Sequence, residues 1–174
     1  LPDCGYTVYT PGGASPPLAV AAGTTPPGPD PTPRQVHLGL ASDPARSRVI
    51  SWRTEDDETL ATTVRYGKLD GDELSRDGFS FWYRTPTVMP RMHEVHLCGL
   101  EPDTVYRYQV GGGDTWSPER RFRTAPDVVA DPSASVVLAV LGDSRGGQAL
   151  AADSMRRIMA SVHPDAFLFT GDAF

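Results

Sequence analysis

Two aspartates occupy equivalent places after two apolar runs near the end of the sequence. Asp143 follows Gly142 after SVVLAVL, and Asp172 follows Gly171 after DAFLFT. Runs that are apolar at successive positions are typical of strands buried on both faces of a sheet. Neighbouring parallel strands would bring both carboxylates to one sheet edge, where they could bind a common metal ion. A single Gly-Asp pair also suits a turn or a helix N-cap, so the prediction depends on there being two.

The stretch between these two runs has the period of a helix. From Gln148 to His163 the apolar positions share one face, and Pro164 ends the pattern. That face consists of Ala151, Met155, Ile158, Met159 and Val162. Strand, helix and strand in this order predict a βαβ unit over residues 136–174 with parallel strands. Its apolar strands imply that a larger α/β layer belongs around them.

Residues 34–125 show short alternating runs separated by turn residues. Seven such runs predict seven strands and an all-β sandwich. The runs are VHLGL, RVISW, TTVRYG, GFSFWYRTPTV, HEVHLCGL, TVYRYQVGGG and RRFRT. In the second run we expect Val49 and Trp52 to point inward, with Ile50 as a further candidate. In the first run Val36, Leu38 and Leu40 alternate. Val95 and Leu97 share the inward face of their run, Tyr106, Tyr108 and Val110 share one face of theirs, and the last run contributes Phe122.

The two remaining segments are rich in proline and small residues. Residues 1–33 form a Pro/Gly-rich N-terminal arm, and residues 126–135 form a short linker. Such a composition cannot bury a core and favours extended or irregular structure. The arm is either a spacer or a segment that lies on the folded domain, in which case Cys4, Tyr6, Val8 and Tyr9 could dock.

Composition and chain ends limit the possible functions. The sequence of 174 residues has 16 basic and 22 acidic side chains and a net charge of −6, which gives no sign of nucleic-acid binding. No stretch approaches the ~20 consecutive apolar residues of a membrane span. Because the chain starts at Leu1 and stops within a motif at Phe174, we expect a processed or trimmed N-terminal fragment.

Two groups of motifs resemble known families. LGDSRGG and FTGDAF resemble the first two sequence blocks of the calcineurin-like metallophosphoesterases. HEVHLCGLEPDTVYRYQVG and RRFRTAP resemble the N-terminal domain of purple acid phosphatases, and the run from Leu100 to Tyr106 is similar to the tyrosine corner of fibronectin type III domains. The implied fold is a fibronectin type III-like sandwich followed by the first βαβ unit of a metallophosphoesterase domain, which is truncated in this chain.

The resemblance also implies a metal centre and a reaction. The family carries two divalent or trivalent ions, of Fe, Zn or Mn; by position Asp143 would bind one and Asp172 would bridge both. A tyrosine ligand expected at position 175 and the later Asn-His block fall beyond the sequence. The expected function is therefore hydrolysis of phosphate monoesters or diesters by the full-length protein, with an incomplete and inactive site in this fragment.

Arg145 departs from the pattern of many family members, which have a histidine ligand at that position. A guanidinium cannot bind a cation. It could contact the substrate phosphate beside Gly146 and Gly147 at a helix start, with Ser144 as a weaker donor. The alternative is an ordinary surface arginine after a turn.

Two other functions stay open. Fibronectin-type sandwiches usually bind partners, and the aromatic run FSFWYR could be a contact surface of an extracellular adhesion module, although strand packing is the preferred explanation of the run. A noncatalytic phosphoesterase homologue is the third possibility. The four histidines, His37, His93, His96 and His163, do not group into a metal site, because His93 and His96 are three apart in a strand and face opposite sides.

The two cysteines, Cys4 and Cys98, are too far apart in sequence for a zinc knuckle. If Val95 and Leu97 point inward, Cys98 points outward, where the arm could reach it. The resemblance implies a secreted or periplasmic protein, a compartment that permits disulfides. We therefore predict a Cys4–Cys98 bridge that pins the arm to the sandwich, the alternative being two free thiols.

Overall fold

A computed structural model describes residues 30–56, 58–82, 90–142 and 148–170. The chain divides into two compact units, Leu1–Thr124 and Ala125–Phe174. In the described part of the chain no helix is long and apolar enough to cross a membrane. The finer subdivision into arm, sandwich, linker and catalytic start stays a prediction.

The first unit is an all-β sandwich of two antiparallel sheets. One sheet has the order β1-β2-β6-β5, with β1 at Arg34–Gly39, β2 at Ser47–Thr54, β5 at Phe79–Trp82 and β6 at Arg91–Cys98. The other has the order β4-β3-β7-β8, with β9 also paired to β7. Its strands are β3 (Thr63–Lys68), β4 (Leu74–Asp77), β7 (Val105–Gly112), β8 (Thr115–Trp116) and β9 (Arg120–Arg123).

The core lies between the two sheets and receives alternate side chains from each. It consists of Ile50, Trp52, Val64, Tyr66, Val95, Leu97, Leu100, Tyr106, Tyr108, Val110 and Phe122. The inward direction predicted for Val49 is wrong. Ile50 and Trp52 point into the core, and Val49, one residue out of phase with them, lies on the other face of β2.

The seven predicted strands are present, but the described part of the sandwich has nine strands. Each predicted run contains a strand, while β4 and β8 were missed, because β4 (LSRD) has no apolar alternation and β8 has only two residues. Leu38 and Leu40, which alternate with Val36 in the first run, are exposed, whereas Val36 packs against the core. Among the described residues β1 is an edge strand that pairs only with β2, so its apolar side chains meet fewer neighbours there.

The predicted tyrosine corner is present where β6 leads into β7. The hydroxyl oxygen of Tyr106 accepts a hydrogen bond of 3.0 Å from the backbone N–H of Glu101. Thr124, after β9, donates from its hydroxyl to the carbonyl of Glu101 at 2.6 Å and accepts from the N–H of Thr104 at 2.9 Å. The end of the sandwich is thus hydrogen-bonded to this corner.

The second unit contains β10 (Leu138–Leu141), α1 (Gln148–Val162) and β11 (Ala166–Phe169). β10 and β11 pair in parallel, from Leu138 opposite Ala166 to Leu141 opposite Phe169. α1 stops just before His163, whose φ of 48° places it in the left-handed conformation that commonly follows a helix end, and whose N–H bonds the carbonyl of Met159. Pro164 then prevents the helix from continuing.

Candidate functional site

The carboxyl ends of β10 and β11 lie side by side. The N–H of Thr170 donates to the carbonyl of Leu141 at 2.9 Å and extends the ladder one residue past β11. Gly142 follows β10 directly, and a Cβ placed there would be 2.2 Å from the Thr170 hydroxyl oxygen. A side chain at this position would therefore displace the Thr170 hydroxyl, and glycine avoids this contact.

These two strand ends lead into the predicted site. Asp143 comes immediately after Gly142, and Asp172 is two residues after Thr170. Asp143, Asp172, Arg145 and Ser144 themselves lie outside the described residues, so their assignment as metal ligands and phosphate contacts stays a prediction.

Asp165 is an acidic residue at the opposite, amino-terminal end of the same strand pair. Its carboxylate accepts a 2.8 Å hydrogen bond from the N–H of Val137. Its own N–H donates to the carbonyl of Val137 at 2.9 Å. Asp165 thus connects the beginnings of β10 and β11 and has a structural role. The metal-binding role is predicted for the aspartates that follow the other ends of these strands.

No group of three or more His, Cys, Asp or Glu side chains within the described ranges could hold a metal ion. His37 and His96 have local polar contacts instead. His37 Nδ1 lies 2.7 Å from the carbonyl of Gln35, and His96 Nε2 lies 2.6 Å from Glu94 Oε1. His93 and His96 face opposite sides of β6, as predicted.

His93 is a core residue that sequence reasoning did not identify. Its ring is fully buried and stacks on Trp52 at a centroid distance of 5.1 Å and an interplanar angle of 6°. Burial, and secondly the positive charge of Arg91, lower the pKa of His93 to about 4. The alternation that places Val95 and Leu97 inward also places His93 inward, and this signal could have found it.

The neutral His93 ring bridges two threonines. Nδ1 lies 2.8 Å from the Thr62 hydroxyl and Nε2 lies 3.2 Å from the Thr54 hydroxyl. Thr62 also donates to the carbonyl of Leu60 at 2.9 Å, whereas the Thr54 contact with the carbonyl of Asp56 is longer, at 3.4 Å. A neutral ring donates once and accepts once. The shorter carbonyl bond favours Nδ1–H donating to Thr62 while Thr54 donates to Nε2.

The aromatic run of the sequence is partly a surface feature. Phe79, Phe81 and Trp82 form the edge strand β5, and the rings of Phe81 and Trp82 are exposed. The Arg91 guanidinium lies 5.5 Å from the Trp82 ring centroid, a cation–π contact. Tyr83 and Arg84 lie outside the described residues.

Cys98 lies on the half-buried face of β6, as predicted. It is not a free thiol. Its predicted partner, Cys4, lies outside the described residues, so the bridge between them stays a prediction.

Comparison with known proteins places the sandwich in a family. The family described as "Purple acid Phosphatase, N-terminal domain" matches residues 33–124, more than half of the chain. "Probable purple acid phosphatase 20" of Arabidopsis thaliana is 37% identical over 101 residues, which are 56% of this chain and 22% of that protein. Among solved structures, "Structure of PhoD" is 19% identical and covers 79% of this chain and 27% of that one, with a TM-score of 0.49.

The match to the Arabidopsis protein spans less than a quarter of that protein. The family match covers the part of this chain that forms the β-sandwich. The resemblance found in the sequence motifs is confirmed. The chain belongs to the purple acid phosphatase family, and it carries that family's N-terminal domain.

Proposed function

We propose that this chain is the N-terminal part of a dinuclear-metal phosphoesterase that hydrolyses phosphate monoesters or diesters. Asp143 and Asp172 are the metal ligands that this part of the chain supplies. Arg145 is the contact for the substrate phosphate. The sandwich precedes the catalytic domain and supplies none of these groups.

One observation carries the proposal: the paired ends of β10 and β11. Each strand runs into a Gly-Asp pair, and the last residues before those pairs are hydrogen-bonded neighbours. Groups that bind ligands in parallel sheets gather beyond the carboxyl ends of the strands. An adhesion module of the fibronectin type has no use for two such pairs after its sandwich.

The exposed side chains of the second unit support the same proposal. Parallel strands are normally covered on both faces. Here Val136, Val137, Leu138, Val140 and Leu168 are exposed, as are Met159 and Val162 on α1. This is the surface expected of the first strand–helix–strand of a larger α/β domain.

The donor set suits the metals of the family. Carboxylate oxygens bind Fe, Mn and Zn readily, and the bound ions would supply an activated water and polarise the phosphoryl oxygens. Asp143 and Asp172 fix the position of the ions at the strand ends. Arg145 orients the phosphate by paired hydrogen bonds from its guanidinium.

The test uses the protein extended past Phe174 by its natural continuation. We expect D172N to lower the turnover rate by about 10²-fold or more, since it disturbs both ions. D143N should also lower the turnover rate strongly, because it disturbs one of the two ions. Asp165→Asn is the matched control, because an asparagine oxygen still accepts from Val137. Rates on p-nitrophenyl phosphate and on its bis ester, with metal content by mass spectrometry, are the measurements.

Near-wild-type rate and metal content in D172N or D143N would show that these residues are not ligands. An extended protein that folds but neither binds metal nor turns over either substrate would instead favour the noncatalytic homologue. The 174-residue chain alone is expected to be inactive on both substrates. Secretion or export to the periplasm belongs to the same proposal and is tested by fractionation of the source cells.

A further inference from the structure

Four arginines lie on the outer side of the sheet that contains β3, β7 and β9. In each strand the residue next to an arginine belongs to the buried core, so alternation places the arginine on the side away from the core. The four are Arg65 of β3, Arg107 of β7, and Arg121 and Arg123 of β9. We call this set the outer arginine face. It concentrates positive charge in a chain whose net charge is −6.

Two of these arginines are direct neighbours across a strand pair. Arg107 of β7 is opposite Arg121 of β9. Like charges directly opposite each other in an antiparallel pair destabilise it. Arg65 lies diagonally across from Arg107, because the direct partner of Arg65 is Gln109, two residues farther along β7. Folding gains nothing from adjacent guanidinium groups, so their placement favours a binding role for this face.

The nearby carboxylates neutralise this face incompletely. Glu73 is shared by two arginines, with Oε1 4.0 Å from Arg65 Nε and Oε2 3.7 Å from Arg107 Nη1. Glu119 Oε1 lies 3.8 Å from Arg121 Nη2. All three distances are longer than a hydrogen bond, so these guanidinium groups keep donors for another anion.

The guanidinium groups of the face are accessible to a partner. The side chains of Arg121 and Arg123 are 64% and 59% exposed, and that of Arg65 is 43% exposed. The Arg65 guanidinium lies 3.7 Å from the centroid of the Trp116 ring, a stacking contact that orients it. Exposed, oriented guanidinium groups bind sulfate, phosphate or carboxylate through paired hydrogen bonds.

The character of the face selects among anionic partners. Peptides usually bind at an open strand edge through backbone hydrogen bonds, whereas this surface offers side chains on a sheet face. Duplex DNA carries dense charge and suits a strongly basic domain, which the net charge of −6 opposes. An anionic polysaccharide fits better. Its spaced sulfate or carboxylate groups can each meet a guanidinium, and its hydroxyl groups can donate to Glu73 between the arginines.

We propose that the outer arginine face binds an anionic polysaccharide. The guanidinium groups of Arg65, Arg107 and Arg121 hold its sulfate or carboxylate groups, and the Glu73 carboxylate accepts hydrogen bonds from its hydroxyl groups. This binding is a property of the sandwich and does not depend on metal binding or on catalysis.

Calorimetric titration of the 174-residue chain with heparin and with polygalacturonate tests the proposal. Heparin carries sulfate and carboxylate groups and polygalacturonate carries carboxylate alone, so the pair shows which group is bound. We expect the double variant R107Q/R121Q to weaken binding by about tenfold or more. R34Q/R157Q is the matched control, because it removes the same charge from exposed arginines outside the face. It should change the affinity by no more than about twofold.

Urea midpoints separate lost binding from lost folding. R107Q/R121Q should unfold at the same or a higher urea concentration than the wild type, since it removes a like-charge pair. If the double variant is less stable, R121Q alone carries the test, with an expected loss of affinity of about threefold. The proposal is overturned if neither polysaccharide binds more tightly than uncharged dextran, or if the two double variants weaken binding equally. Tighter binding of polyglutamate or duplex DNA would also overturn it.

Discussion

The sandwich and the strand–helix–strand unit differ in how far their apolar side chains are buried. In the sandwich, eleven apolar side chains form one buried cluster to which both sheets contribute. Among the described side chains of the second unit, Ala139 is the one apolar side chain that is buried. Val140, beside it on β10, is 55% exposed.

The difference follows from how the two kinds of sheet are covered. An antiparallel sandwich supplies its own second layer, so alternate residues of each strand are buried by the facing sheet. A parallel pair is apolar on both faces and needs other layers on each side. The two sheets of the first unit therefore bury each other's apolar faces, whereas the described residues of the second unit do not cover both faces of its strand pair.

The largest effect on stability is expected at the centre of the sandwich. Trp52 is 1% exposed and packs among residues of both sheets. Trp52→Ala should lower the free energy of unfolding by about 3–5 kcal/mol, through lost contacts and a residual cavity. Urea unfolding followed by the fluorescence of the remaining tryptophans measures it. Trp82→Ala on the exposed edge strand is the control, expected to cost about 1 kcal/mol or less.

The buried His93 should make sandwich stability depend on pH. Its folded pKa of about 4 lies below the usual value of 6.5, so the unfolded chain binds the proton more readily. Stability should be complete above about pH 6.5 and fall by about 3 kcal/mol as pH drops towards 4, with no further loss from this group below that. Urea midpoints at several pH values measure the slope.

The variant His93→Gln tests directly whether His93 causes this pH dependence. Gln retains hydrogen-bonding capacity towards Thr54 and Thr62 but does not titrate. We expect the variant to be less stable at neutral pH and its stability between pH 4 and 6.5 to lose most of the dependence. An unchanged slope would mean that other groups cause it.

One substitution made in both units tests the comparison directly. Val95→Thr buries a hydroxyl in the core and should cost about 2 kcal/mol, read from tryptophan fluorescence. Val140→Thr alters a side chain that is mostly exposed and should change stability by no more than about 0.5 kcal/mol. The ellipticity of α1 at 222 nm reports on the second unit. Equal losses of stability in the two variants would mean that the Val140 side chain of β10 is buried in this chain.

A smaller loss of stability than at Trp52, His93 or Val95 is expected at the tyrosine corner. Tyr106→Phe removes the acceptor of the Glu101 N–H while keeping the ring against Phe122, and should cost about 1 kcal/mol. Tyr108→Phe is the control, because no hydrogen bond to its hydroxyl occurs among the described residues. Urea midpoints of the two variants should therefore differ, with Tyr106→Phe the less stable.

Sequence alone determined the parts of this protein that depend on local periodicity. Alternation placed Trp52, Val95, Leu97 and the three core residues of β7 inward, and helical period with Pro164 gave α1 its end within a residue. These features are predictable because side-chain direction follows directly from backbone geometry. Motif residues of the sandwich also identified the family, since the corner run has specific residue types at fixed spacing.

Tertiary structure decided what depends on neighbours distant in sequence. Only strand pairing shows that β1 is an edge, which leaves Leu38 and Leu40 exposed, and that β4 exists at all, since its partner β3 provides the hydrogen bonds that its own sequence does not signal. Alternation along β6 already points His93 inward, but its stacking and hydrogen bonds depend on Trp52, Thr54 and Thr62, which come from β2 and from the loop before β3. Burial and hydrogen bonding across sheets are properties of the packed whole, so single-strand patterns do not contain them.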